Sequence, residues 1–579
     1  MSSKPLDPAY LRQQIVGVDS TFETPFGERL MSYCDYTASG RCLRFVESYL
    51  QNLQRIYANT HTEDDITGRS MSQLLHEAEE SIKRSVNAGS SGRIIACGTG
   101  ATGAIDKLQQ IVGVALAPAT RKNICSMLTE ADSGLQRADI DGLFEERQPV
   151  VFVGPYEHHS NEISWRESLA TTIDVRMDAT GNIDLGHLEE LLQDPAYQDR
   201  FRIGSFSAAS NVTGIRSDVR GITSLLHKYD AIACFDFAAC APYVEIDMNP
   251  EPADAKDDLS IDAIFISPHK FLGGPGSSGV LVFNERIYHR DLPPSVSAGG
   301  TVDYVGMEGQ DFISRIEERE KAGTPGVLQT LKAGLVFQIK DRVGVKVINR
   351  REHALTERAL NSWGDNENIE ILGNPDPSQR VGIISFNIRN AKGSYLHHKL
   401  ITALLNDLFG IQSRAGCSCA GPYGHRLLEI DHGTSERYRD VVQSGYCGMK
   451  PGWCRVGMHW VMDDPEADYV IGAVNFIANY GYLFLNLYDF DLCSGTWSHR
   501  HATDTLPKFS LDAALDNDEA DPALLTLPLR KQLYDHYMTE AERWVERLKD
   551  EPAGSLATLE GELGELQFFS LPVSATRQH

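Results

Sequence analysis

The chain has 579 residues, 42% hydrophobic and 23% charged, which is long enough for two or three cores and too apolar for a disordered chain. A formal net charge of -26 repels polyphosphate backbones and no Lys/Arg run offsets it, so nucleic acid is excluded as an expected partner. Eleven cysteines are too sparse and too odd in number for a disulfide framework, and the opening MSSKPLDPAY has no charged-then-apolar leader pattern, so reduced thiols and a cytoplasmic location are expected.

The first predicted element is a helix over MSQLLHEAEESIKRSVNA, with Leu74, Leu75, Ala78, Ile82 and Val86 at helical spacing. From Arg93 to Gly300 short β-like runs follow, namely RIIAC, NICSML, VVFVG, FRIGSFS, AIACFDF, AIFIS and GVLVF. Helix-like segments separate many of them, which predicts an α/β layer with a mainly parallel sheet. After the turn Gly323-Thr324-Pro325-Gly326 a long helix is expected from Val327 toward Leu360. Strands VGIISFNI and CRVGMHWV mixed with helices then predict a smaller α+β domain. Tyr469 to Phe490 is apolar, but Asn475, Asn479, Asn486 and Asp489 interrupt it, so a buried or amphipathic helix is expected and no membrane contact. One more helix, PLRKQLYDHYMTEAERWVERLKD, stands in the polar C-terminal region. The expected organisation is an N-terminal segment over 1–60 that joins the small domain, a large domain over 61–335, the small domain over 336–490, and an extension over 491–579.

Gly98-Thr99-Gly100-Ala101-Thr102-Gly103 follows the strand RIIAC and opens a helix. Glycines permit the tight turn, and the free N–H groups and dipole of the helix terminus favour a phosphate. The same glycines fit a dinucleotide fingerprint, with Glu130 as its ribose-binding acid, so this motif alone leaves a nicotinamide oxidoreductase open. The strand AIACFDF delivers Asp236 at its C-terminal end, and AIFISPHK delivers Ser267, His269 and Lys270 in the same way. Desolvation of a lysine after a hydrophobic strand favours the neutral amine that condenses with an aldehyde, and a buried aspartate holds a pyridine nitrogen protonated. Together with the phosphate turn, these residues point to pyridoxal 5'-phosphate (PLP), with Lys270 as its imine-forming residue.

From about Tyr33 to Asp463 the motifs resemble the class V aminotransferase family, and within it the cysteine desulfurase and selenocysteine lyase group. The segments carrying the likeness are Tyr33–Ser39, Tyr57-Ala58-Asn59 with His61, Thr99–Thr102, Glu157–Asn161 with Trp165, Ser210–Gly214, Asp236–Ala239, Ser267–Lys270, Gly299–Thr301, Gly323–Pro325, Arg414–Ala420 and Cys454–Val456. The resemblance implies the PLP-dependent transferase fold of type I, an α/β large domain with a mainly parallel seven-stranded sheet plus the smaller α+β domain. It implies a cofactor site of Lys270, Asp236, Thr102, Ala101, His158, Asn211, Ser267, His269 and Thr301, with His158 stacked on the ring. Substrate is expected at Arg455, whose planar fork suits a carboxylate, and at Asn59. Cys419 stands at the catalytic cysteine position. The glycine pair before Thr301 implies a homodimer.

The implied reaction is removal of sulfur from L-cysteine, giving alanine and a persulfide on Cys419, with Lys270 moving the α-proton, His158 relaying protons, and a sulfur-acceptor protein as a possible partner. The alternative keeps PLP without the persulfide step, as a C–S lyase, epimerase or aminotransferase. No metal is expected, although Cys417, Cys419, His425, Cys447 and Cys454 could together supply zinc ligands. His159 and His61 are expected to be structural. Three features depart from the family pattern: Ala239 stands where a glutamine is usual, thirty-five residues separate Cys419 from Arg455, and the extension after Ser494 has no counterpart.

Overall fold

The computed structural model describes residues 6–60, 64–130, 147–251, 257–389, 393–502, 509–515, 523–550 and 556–573. His61, and the side chain of Glu130, lie outside the described residues. The chain divides into two compact units, residues 38–348 and residues 1–37 with 349–579, where the expected limits of the large domain were 61 and 335.

In the 38–348 unit, helix α1 (Ile66–Ser85) starts at Asp65, whose carboxylate accepts the Gly68 N–H, and buries Met71, Leu75, Ala78 and Ile82 on one face. Seven strands follow: β1 (Gly92–Ala96), β2 (Val150–Val153), β3 (Thr171–Asp174), β4 (Arg202–Ser207), β5 (Ile232–Asp236), β6 (Ala263–Ile266) and β7 (Val280–Asn284). They form one sheet in the order β1-β7-β6-β5-β4-β2-β3. The pairs from β6 to β3 are parallel, while β7 runs antiparallel to both neighbours. Strands β2 and β6 are buried along their whole length, as expected of a sheet covered on both faces, and this explains their unbroken apolar sequences.

NICSML is not a strand but part of helix α3 (Pro118–Glu130), which begins with proline at the position where its missing N–H costs nothing. The long helix after Gly326 is two helices, following α2 (Ala101–Ile111) and α3: α4 (Val327–Val343) and α5 (Val345–Gly364). Gly344 separates them with φ of 86°, a backbone region that favours glycine. Where α4 passes α1, Gly334 admits close approach, since a β-carbon there would lie 2.8 Å from that of Ala78.

The other unit has a four-stranded antiparallel sheet in the order β8 (Ile369–Ile371), β9 (Ile383–Ile388), β11 (Trp453–Gly457), β10 (Arg414–Gly416). Helices α6 (His398–Phe409), α7 (Gly421–Leu427), α8 (His432–Gln443) and α9 (Asp464–Tyr480) belong to it. The stretch Asp464–Leu487 has the length and apolarity to cross a membrane, yet 56% of its apolar window is buried within the protein, which favours a core helix. The region past residue 490 completes the same core. A hairpin of β12 (Tyr488–Asp491) and β13 (Thr496–His499) leads to α10 (Leu527–Lys549) and α11 (Gly561–Glu565). From α10, Tyr534, Tyr537, Ala541, Val545 and Leu548 are buried in the hydrophobic cluster with α6 and α9, and Tyr534 stacks on Tyr469 at 4.1 Å.

Candidate active site

The sheet register explains why distant motifs meet. Val280 of β7 pairs with Ala96 on one side and with Ile266 on the other, so β1 and β6 end level with each other and point the same way. The glycine turn after Ala96 therefore lies beside Ser267-Pro268-His269-Lys270. The Ser267 hydroxyl accepts the Ala101 N–H at 2.8 Å, and His269 Nδ1 donates to the Thr99 carbonyl at 2.8 Å. A β-carbon on Gly100 would lie 2.9 Å from His269 Cε1 and 3.0 Å from Ser267 Oγ. Only glycine fits this cradle, where the first turn of α2 presents N–H groups without intrahelical acceptors.

The neighbouring parallel strands end at the same edge, with Ser207 paired to Asp236 and Asp236 paired to Phe265. Asp236 is buried. Burial raises its carboxyl above the ordinary range, while the Ala238 N–H and the Lys270 ammonium favour the anion. The Ala238 N–H donates to Oδ1 at 2.8 Å. Lys270 ends a single 3-10 turn and is half-buried. Burial lowers the pKa of His269, and the Lys270 charge adds to the shift.

The segment after β2 carries His158. The Ser160 N–H donates to His158 Nδ1 at 3.1 Å, which assigns the proton of the neutral ring to Nε2. The Ser160 hydroxyl lies 2.7 Å from Thr102 Oγ1 and 3.1 Å from His158 Nδ1, joining the glycine turn to the histidine.

Sequence reasoning assigned no role to Glu157, the buried anchor of this segment. Its Oε1 accepts from the N–H groups of Ser207 at 2.8 Å and Gly154 at 3.2 Å, and its Oε2 accepts from Ser207 Oγ and Asn161 Nδ2, both at 2.7 Å. Burial lifts its pKa to about 7 in spite of these donors. The signal was present in the sequence: a glutamate beside two histidines, four residues past the end of an all-apolar strand.

Asn211 is buried in the turn after β4, where the Ser210 hydroxyl accepts the N–H groups of Val212 and Thr213. Thr301 is buried and donates to the Ala298 carbonyl at 2.7 Å, and exposed Asn59 donates to Thr324 Oγ1 at 3.1 Å. Glu130 ends a helix, whereas the dinucleotide reading required the end of a strand.

Arg455 and Cys419 belong to the other unit. Arg455 is buried on β11, and its guanidinium binds Asp35 Oδ1 at 2.9 Å, while Arg414 on the adjacent strand lies 3.7 Å from Asp35 Oδ2. Asp35, not singled out from the sequence, orients the fork. Cys419 is exposed. It follows Ser418, and both adopt left-handed backbone, at φ 56° and 52°, which costs about 1–2 kcal/mol for each non-glycine residue. Cys454 is buried between Thr402 and Ser413, and among the described residues no three His, Cys, Asp or Glu side chains are arranged to hold a metal.

The family model described as "Aminotransferase class-V" matches residues 140–470. A probable cysteine desulfurase of Staphylococcus aureus is 27% identical over 401 residues, covering 68% of this chain and 84% of the relative. A probable cysteine desulfurase of Halalkalibacterium halodurans is 27% identical over 276 residues, 47% of this chain and 62% of that relative's length. Among solved structures, the apo cysteine desulfurase of Thermococcus onnurineus superposes with a TM-score of 0.61 at 19% identity, covering 83% of this chain and 99% of that one. The cysteine desulfurase CsdA of Escherichia coli gives 0.59 at 19% identity, over 81% and 98%. These likenesses establish the type I fold of PLP-dependent transferases, and since the family model spans more than half of its length, the chain belongs to the class-V aminotransferases.

Proposed function

We propose that this protein is a PLP-dependent cysteine desulfurase that takes sulfur from L-cysteine and leaves alanine. The observation that carries this reading is the convergence of a glycine cradle, the Ser267–Lys270 turn and buried Asp236 at one edge of a parallel sheet. The class-V family is PLP-dependent, and the cradle fits a phosphate because a side chain on Gly100 would collide with His269 and Ser267. When bound, PLP supplies an electron-withdrawing ring conjugated to the substrate's α-carbon.

The residues divide the work. The Ser267 hydroxyl, whose oxygen already accepts the Ala101 N–H, has its proton to give to phosphate, along with Thr102 and His269. Asp236 holds a proton at the pyridine nitrogen, and Asn211 and Thr301 complete the cofactor contacts. Lys270 anchors the cofactor and moves the substrate α-proton. Arg455, oriented by Asp35, grips the α-carboxylate, with Asn59 as a further substrate contact. The Cys419 thiolate attacks the substrate sulfur, so that an S–S bond forms as the C–S bond breaks, and the electron pair left on carbon takes up a proton. His158, with its proton on Nε2, relays protons for this step. The exposed Tyr304, Val305 and Met307 just beyond Thr301 support a homodimer. The absence of disulfides among all eleven cysteines supports a cytoplasmic location, and an acceptor protein would collect the persulfide sulfur.

The test is product analysis of holo-protein with L-cysteine, comparing the parent with Cys419→Ser. The parent is expected to form alanine in step with transferable sulfur, and the variant to keep the visible cofactor band while losing sulfur transfer. Pyruvate plus ammonia from the parent would replace this reading by β-elimination, and an unaffected variant would remove Cys419 from the mechanism.

A further inference from the structure

The residues between Cys419 and Arg455 and the chain beyond residue 491 are the two features that depart most from the family pattern, and they hold one another. Arg437 of α8 donates to Glu562 and Glu565 of α11. Beside it, Tyr438 Oη donates to the Leu566 carbonyl at 3.0 Å. At a second place the tip of the β12–β13 hairpin accepts two N–H groups of the insertion, from Cys447 to the Cys493 carbonyl at 3.1 Å and from Gly448 to the Leu492 carbonyl at 2.9 Å. The fit there is close: a β-carbon on Gly448 would lie 2.7 Å from the Leu492 carbonyl oxygen and 2.7 Å from the Phe490 ring.

A continuous set of contacts leads from this clasp to the cysteine loop. The His397 ring packs against Phe490, Trp497 and Phe569 of the C-terminal region, with centroids 5.2, 6.0 and 4.7 Å away. Its Nδ1 accepts the Lys399 N–H, so Nε2 carries the proton and donates to the Gly448 carbonyl at 3.1 Å. His398 stacks on it at 4.3 Å. Both histidines are buried, His397 at 1% and His398 at 3% exposure. A β-carbon on Gly452 would lie 3.0 Å from His398 Nε2 and 2.9 Å from Gly416 Cα, so these three groups are packed together. Gly416 is where the chain enters the Cys417-Ser418-Cys419 turn, and Gly452 is where it returns to β11. The turn carries two successive left-handed non-glycine residues, a conformation that persists only when its surroundings enforce it.

We propose that the C-terminal extension is a positioning element for the Cys419 loop, acting through the insertion and the His397–His398 stack, and that Arg437 is the residue that closes this clasp. The inference deepens the reading of Cys419 as sulfur acceptor and rests on it for its meaning in catalysis. Arg437 belongs to the 1–37/349–579 unit and the residues of the cofactor cradle all belong to the 38–348 unit, so its loss is expected to change how the thiol is presented and to spare the fold of the cradle.

Arg437 is 40% exposed in its side chain, and a surface ion pair contributes little to global stability, so Arg437→Glu should fold. The experiment compares full-length holo-protein, Arg437→Glu, and Arg437→Glu combined with Glu562→Lys and Glu565→Lys, which restores the attraction with its charges exchanged. Iodoacetamide labelling of Cys419 is timed by peptide mass spectrometry without substrate, and turnover of L-cysteine is measured alongside. In Arg437→Glu the labelling rate should change by at least about threefold, the visible cofactor spectrum should stay, and kcat should fall while KM stays. The charge-exchanged variant should return both rates toward the parent. Unchanged labelling in Arg437→Glu, or a change that the exchange does not rescue, would overturn the proposal. Because labelling needs no turnover, a parent that labels as expected but forms no alanine would count against the desulfurase reading alone.

Discussion

Glu157→Gln exchanges one buried acceptor oxygen for a donor. Oε2 receives hydrogen bonds from Asn161 Nδ2 and Ser207 Oγ, and an amide NH2 at that place meets the Asn161 NH2 head-on. Asn161 cannot turn over, because its Oδ1 accepts from Trp165 Nε1 at 3.1 Å and Ser205 Oγ at 2.6 Å. Leaving these donors unpaired costs about 1–3 kcal/mol. The substitution also removes a titration. Glu157 moves from an ordinary 4.5 to about 7 in the fold, and a pKa raised on folding gives stability that is fully present below 4.5 and lost as pH rises through about 7. The whole effect is worth about 3 kcal/mol, of which about 2 kcal/mol falls between pH 5.5 and pH 8. Urea unfolding of parent and variant holo-protein at those two pH values is the assay. The parent's advantage should be larger at pH 5.5 than at pH 8 by about 2 kcal/mol; equal gaps at the two pH values would refute the assignment of a buried, titrating carboxyl to Glu157.

Gly100→Ala should weaken PLP binding by about tenfold or more, because its methyl group enters a space 2.9 Å from His269 Cε1; titration of the apo-protein followed in the visible band is the check. Arg530→Ala should destabilise the 1–37/349–579 unit by about 1–3 kcal/mol, because Asp463 loses one charged donor but keeps Arg12 3.8 Å away, measured as a shift in unfolding midpoint. Arg530 is 5% exposed and pairs with Asp463, in a cluster where Arg12 also binds Asp19 and Glu466 at 3.2 Å.

The parts of the site that were legible in the sequence are those whose chemistry is carried by the chain close to them. Asp236 and Lys270 each follow a run of apolar residues long enough to be a buried strand, and both runs are strands. The glycine turn was legible because strand, glycines and helix are contiguous. NICSML misled because a short apolar run has no period of its own, and the proline ahead of it decided for a helix. Gly344 was read through as part of one helix, since a single glycine is tolerated in a helical pattern and only its positive φ reveals the break. Asp35 and Glu157 were overlooked because their roles depend on partners on other segments: Asp35 binds an arginine 420 positions away, and Glu157 binds Ser207 at the end of the neighbouring strand, 50 positions away. The tail reads as polar because only one face of α10 is buried, yet that face belongs to the core.

A unit assembled from residues 1–37 and 349–579 sets a timetable for biosynthesis. The strand pairing of Ser32 and Tyr33 with Ile411 and Gln412 must wait until the ribosome has passed residue 412, and the apolar face of α10 arrives later still. Residues 38–348 have their sheet available for folding well before then. During that interval the N-terminal segment waits without its partners, and the apolar side chains it later buries stay exposed.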